Sequence, residues 1–136
     1  MQDRIVEALT KYGIEVVFID HLHFLFDMAR SRSVSIEIGQ IIRWLKTLAI
    51  ELNLVIFVLC HLQKMSFDAE PDDSNIRDSS FVSQESDTGL ILWRVRNSDD
   101  HAWLKVCYSR RTGVIDKKIP LVKVNGLLRE KQEGDF

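Results

Sequence analysis

The side chains able to do chemistry in this chain sit where secondary structure would hold them still. Val16-Val17-Phe18-Ile19 is an unbroken apolar run that ends in Asp20, and the apolar run Leu54 to Cys60 ends in His61. In open α/β sheets ligands collect beyond the carboxyl ends of the strands, so these two residues come first. A carboxylate fixed at the end of a low-dielectric strand can orient magnesium, usually through water, which is the Walker B arrangement. Many α/β proteins end a strand in aspartate, so Asp20 alone is unspecific. An imidazole at the neighbouring strand end can donate a hydrogen bond to a phosphate, although a lone histidine there is more often structural. Asp20, His21, His23 and His61 are also metal-ligand types, which raises a metal-dependent hydrolase as an alternative. His21 and His23 lack a recognisable zinc spacing.

Apolar periodicity supplies the elements that must position these groups. Ile5, Val6 and Leu9 share one face of a helix over Gln2 to Tyr12, and Gly13 is placed to end it. The run Ile14 to Asp20 reads as a strand buried on both sides. Ile38, Ile41, Ile42, Leu45, Leu48, Ala49 and Leu52 recur at three and four, which predicts an amphipathic helix started by Ser33 or Ser35 and closed by Asn53. With Leu54 to Cys60 the order is strand, helix, strand, and the two strands are expected to run parallel. An acidic loop over 65–75, with Glu70, Asp72 and Asp73, is expected to be mobile. A short helix near Ser80 to Ser86 then leads to strands at Gly89 to Val95, Ala102 to Tyr108 and Lys118 to Val124. Asn125-Gly126 signals a tight hairpin into Leu127-Leu128. The predicted class is α/β, a single domain over 1–136 with a parallel core followed by antiparallel strands at one edge.

Composition narrows the function classes. The chain has 136 residues, 46% hydrophobic and 28% charged, enough for a sizeable core. No apolar run approaches the roughly 20 residues of a membrane span, and Met-Gln-Asp-Arg is no signal peptide, so the expected location is cytoplasmic. A net charge of -2 argues against a generic strand-coating protein and leaves any nucleic-acid contact to a few placed residues. Cys60 and Cys107 lie inside apolar runs and read as buried, reduced thiols.

Four segments then occur in a telling order: Val17-Phe18-Ile19-Asp20-His21-Leu22, the helix centre Leu45-Lys46-Thr47-Leu48-Ala49, Cys60-His61-Leu62-Gln63-Lys64, and Asn75-Ile76-Arg77-Asp78-Ser79 through Gln84-Glu85-Ser86-Asp87. Together they resemble the DnaB-like replicative helicases, including the phage primase-helicase and Twinkle types, over about Ile14 to Leu128. The resemblance implies a RecA-like P-loop ATPase core, ATP and Mg2+ as cofactors, single-stranded DNA as partner, and assembly into a ring, by expectation a hexamer. It assigns Asp20 to magnesium, His61 to sensing the terminal phosphate, and Gln84 to linking the DNA loop with the nucleotide site. Asn75, Arg77 and Ser79 fall on the loop that grips DNA; without the resemblance, Arg77 would read as an ordinary solvated charge. Leu104 to Gly113 resembles the family strand ending in Lys-x-Arg-Phe-Thr-Gly, which puts Arg110 at the arginine finger, with Arg111 adjacent. Tyr108 stands where the family carries a lysine.

No glycine here is followed by lysine and then serine or threonine, so the phosphate-cradling loop is not in this sequence. The family's catalytic glutamate belongs to a strand ahead of the one ending in Asp20, and Glu15 is at the wrong end of its strand to replace it. The expectation is therefore a partial motor domain, either a fragment or a remnant that has lost hydrolysis, with a sheet edge left for a partner. A non-catalytic DNA-binding or assembly module on the same fold is the alternative reading.

Overall fold

The computed structural model describes residues 1–25, 34–66, 69–76 and 79–133. They form two compact units, 1–63 with 76–86 and 64–75 with 87–136.

In the first unit, α1 (Gln2–Tyr12) stops where Gly13 turns left-handed at φ 61° and donates its N–H to the Leu9 carbonyl at 2.9 Å. A residue bearing a Cβ is strained in that conformation, so glycine sets the stop. The strands β1 (Val16–Ile19) and β2 (Val55–Val58) pair in parallel, Phe18 opposite Phe57, joined through α2 (Val34–Glu51). Asn53, with φ 51°, closes α2 as expected. Of the two expected caps, Ser35 lies within the helix and Ser33 falls outside the described residues.

One face of the β1–β2 pair is covered. Val17 and Ile56 pack with Ile5, Leu48 and Leu54, while Val58 and Cys60 pack with Leu22, Ile38, Ile42 and Val82. The expectation of strands buried on both sides is not met. Val16, Phe18, Val55, Phe57 and Leu59 point the other way and are exposed, Phe18 by 69%, with the Phe18 and Phe57 rings stacked at 4.9 Å. The alternation of a strand sends successive side chains to opposite faces, and among the described residues of this unit helices pack on one face only.

The helix α3 (Ser79–Glu85) docks on α2. Gly39 makes this possible: a Cβ there would sit 2.9 Å from the Phe81 ring. Arg43 Nη2 to Glu85 Oε1 at 2.5 Å, and Lys46 Nζ donating to the Glu85 carbonyl at 3.2 Å, tie the end of α3 to the same helix.

The second unit is a meander, β3 (Thr88–Arg94), β4 (His101–Ser109), β5 (Ile115–Val124) and β6 (Leu127–Glu130), each strand antiparallel to the next. Asn125 and Gly126, both at positive φ, make the last hairpin turn as predicted. The antiparallel strands were expected at one edge of the parallel pair; they form a sheet of their own instead. Short turns favour pairing between consecutive strands, because closing a short loop costs little entropy.

Lys105 in β4 has only 7% of its side chain exposed, and its Nζ reaches Asp116 at 3.2 Å, Asp72 at 3.3 Å and Glu70 at 3.6 Å. Lys118 also pairs with Glu70. The acidic loop thus carries ion pairs to β4 and β5, and Pro71 between the two carboxylates is buried.

Both cysteines are free, Cys107 buried and Cys60 partly so. Burial pushes the Cys60 thiol up to about 11, and burial likewise raises Cys107. Since the thiolate is the nucleophile and an ordinary cysteine titrates near 8.5, Cys60 should alkylate on the order of a hundredfold more slowly than an exposed thiol at neutral pH. Iodoacetamide labelling of the native and urea-unfolded chain, read by mass spectrometry, checks this; equal rates would contradict the burial.

Candidate functional site

Parallel pairing of β1 and β2 brings their carboxyl ends side by side. The backbone closes the junction: Leu59 donates to the Ile19 carbonyl at 2.9 Å, and Leu22 donates to the Leu59 carbonyl at 2.8 Å. Leu22 is fully buried in the α2–α3 core, so the chain leaving β1 is anchored immediately after the residues that matter.

Asp20 and His61 emerge from this junction. The Asp20 side chain is 76% exposed, with Oδ1 3.8 Å from His21 Nδ1. The His21 ring lies 4.3 Å from the His61 ring, centroid to centroid, at a 58° tilt. His21 therefore touches both of the strand-end residues singled out from the sequence. Sequence reasoning noticed His21 only as one of several metal-ligand types; its position between the other two depends on strand register, which a linear pattern does not carry.

An exposed carboxylate held at a strand end is a hard oxygen donor suited to a water-mediated magnesium contact. It would fit that role as one ligand among several. Among the described residues no group of three or more His, Cys, Asp or Glu side chains is gathered where it could hold a metal ion; the His23 side chain lies outside them.

Gln84 lies on α3 in the same unit and is exposed. Arg77 lies outside the described residues, and Ser79 is the first residue of α3. Asn75 ends a short turn, Asp73–Asn75, and its Oδ1 accepts the Asp72 N–H at 2.8 Å, so that atom builds the loop.

Arg110 belongs to the second unit, at the start of the β4–β5 turn, and is exposed. Its N–H donates to the Asp87 carbonyl at 2.9 Å, and the turn is closed by Gly113, at φ 71°, donating to the Ser109 carbonyl at 2.8 Å. The guanidinium carbon lies 5.8 Å from the Tyr108 ring centroid, within cation–π range. Tyr108 in turn crosses to Gly89, where a Cβ would come within 2.5 Å of its ring. The Tyr108 ring thus rests over a glycine, and Arg110 approaches that ring. No helix among the described residues is long and apolar enough to cross a membrane.

A parallel βαβ unit with its polar residues at the strand ends, followed by an antiparallel meander ending in a hairpin, defines a partial RecA-like core. The DnaB-like helicase C terminal domain family matches residues 1–121, and the chain belongs to that family. It is similar to the Replicative DNA helicase DnaB of Helicobacter pylori, 31% identical over 121 residues, covering 87% of this chain and 22% of the relative. The corresponding protein of Haemophilus influenzae is 28% identical over 132 residues, covering 91% of this chain and 26% of that protein. Among solved structures, a DnaB-like replicative helicase described with its interactions with primase superposes with a TM-score of 0.75 at 23% identity, over 91% of this chain and 32% of that one. The chain thus spans about a fifth to a quarter of the length of these curated relatives.

Proposed function

We propose that this chain is the distal part of a ring-forming, ATP-dependent DNA helicase motor, working in the cytoplasm on single-stranded DNA. The observation that carries the reading is the junction of Asp20, His21 and His61 at the ends of two adjacent parallel strands, in a chain of the DnaB-like family. Asp20 would orient the magnesium of bound Mg2+-ATP. His61 would meet the terminal phosphate, and Gln84 would relay the state of that site toward the DNA loop of Asn75, Arg77 and Ser79. Bound Mg2+-ATP supplies the phosphoryl group whose transfer to water drives translocation. Arg110 would serve the nucleotide of the neighbouring subunit, which makes a closed ring, by this reading a hexamer, the working form. The uncovered β1–β2 face fits a chain that works against further layers of a motor domain.

The phosphate-cradling loop supplies most of the grip on the β- and γ-phosphates. The 136 residues by themselves are therefore expected to release no phosphate from Mg2+-ATP, with or without single-stranded DNA, and to act at most as a DNA-binding or assembly module. Fused behind a strand, phosphate-binding loop and helix that complete the core, the same residues should support DNA-stimulated hydrolysis that Asp20→Ala abolishes. Steady-state phosphate release measures both. Robust turnover by the 136-residue chain, or indifference of the completed chain to Asp20→Ala, would overturn the assignment.

A further inference from the structure

Of the three residues at the strand-end junction, Asp20 and His61 have parts in the proposed motor and His21 has none. The backbone around His21 is pinned on both sides: the Ile19 carbonyl accepts the Leu59 N–H at 2.9 Å, and the fully buried Leu22 donates to the Leu59 carbonyl at 2.8 Å. His61 follows the same Leu59 contacts, and the next residue, Leu62, is bridged to Ile76, yet His61 itself is exposed. An exposed imidazole on a side chain with two free torsions samples several staggered positions, and contact with a phosphate needs one of them. His21 narrows that choice. Its side chain is only 33% exposed, and its ring stands 4.3 Å from the His61 ring at a 58° tilt, in van der Waals contact. Its Nδ1 is 3.8 Å from Asp20 Oδ1, too long for a direct hydrogen bond, so the contact with His61 is the closer of the two.

We propose that His21 is a positioning residue for His61, its ring forming a wall that holds the His61 imidazole in the orientation from which it meets the terminal phosphate; the role rests on the motor function proposed above. A fixed flat neighbour removes rotamers before the nucleotide arrives, so less ordering is left for the moment of reaction. The wall is the ring rather than its nitrogens, and a planar side chain of similar size at position 21 serves as well. Loss of the wall acts on a group that meets charge developing during transfer, so it lowers turnover more than nucleotide affinity.

The test uses the chain completed by a phosphate-binding loop. His21→Ala should lower kcat roughly tenfold, with KM for Mg2+-ATP and the magnesium requirement little changed. His21→Phe, which keeps a ring, should retain most of the turnover. His21→Asn, which keeps a polar group toward Asp20 but no ring, should not. In a His61→Ala background His21→Ala should add almost nothing, because the group it positions is gone. A nuclear Overhauser effect between the two rings, read in the 136-residue chain, checks the contact without nucleotide. Additive losses from His21→Ala and His61→Ala, a raised magnesium requirement in His21→Ala, or a His21→Phe chain as slow as His21→Ala would overturn the role. Silence of His21→Ala beside clear losses in Asp20→Ala and His61→Ala would overturn it alone, whereas silence of all three would overturn the motor function and this role together.

Discussion

Arg110→Ala, in a ring-forming protein in which this segment follows an intact phosphate-binding loop, is expected to leave nucleotide affinity nearly unchanged and to lower hydrolysis by roughly 10³-fold or more. A guanidinium stays charged at any working pH and presents a planar fork, so it can offset charge developing on the transferred phosphoryl while adding little in the ground state. Asp20→Ala should instead weaken magnesium-dependent binding within its own subunit. Mixing the two variants should restore some activity, because an intact Arg110 on one chain then faces an intact Asp20 site on the other. Phosphate release by single and mixed preparations reads all three outcomes. Normal hydrolysis by Arg110→Ala with loss in Arg111→Ala would move the finger by one position. By the same proposal Tyr108 would position the finger, its ring lying 5.8 Å from the Arg110 guanidinium, so Tyr108→Phe should be nearly silent and Tyr108→Ala should cost activity with little change in nucleotide affinity.

The second large effect concerns Lys105. Removing the carboxylates that face it, in Asp72→Ala/Asp116→Ala, should destabilise the antiparallel unit by about 2 kcal/mol, discounted from the roughly 3–5 kcal/mol of a fully buried pair because these carboxylates are half exposed. Lys105→Met should cost less, since a buried thioether needs no partner and the carboxylates can rehydrate. Urea unfolding followed by far-ultraviolet dichroism ranks the two; a more damaging Lys105→Met would show that the carboxylates depend on the lysine more than it depends on them.

The same cluster fixes the sign of the pH dependence. Burial opposes the charge on Lys105, yet hydrogen bonds from it to Asp116 and Asp72 and their negative charge outweigh that and hold the ammonium above its usual value. Its contribution is complete below the ordinary lysine value and fades as pH rises through the raised one. Glu70 is held below its usual range chiefly by the hydrogen bond from Lys118, and Asp72 chiefly by the Asp73 N–H and then by Lys105. Their contributions are present above the ordinary carboxylate values and are lost as pH falls through the lowered ones, so acid should loosen this loop first.

Local chemistry sufficed wherever a single stretch of chain decides its own shape. The stop of α1 at Gly13, the stripe of α2, its closure at Asn53 and the hairpin at Asn125-Gly126 follow from residues a few positions apart, because backbone preference and 3.6-residue spacing act at that range. Asp20 and His61 were legible for the same reason, each being the polar residue that ends an apolar run. What the linear pattern could not contain is pairing between distant segments. Whether an apolar strand is covered on one face or two depends on which elements pack there, and so Phe18 and Phe57 came out exposed. The approach of His21 to His61 and the gathering of Glu70, Asp72 and Asp116 around Lys105 join residues far apart in sequence. Register and packing choose those neighbours, and only the folded chain sets register.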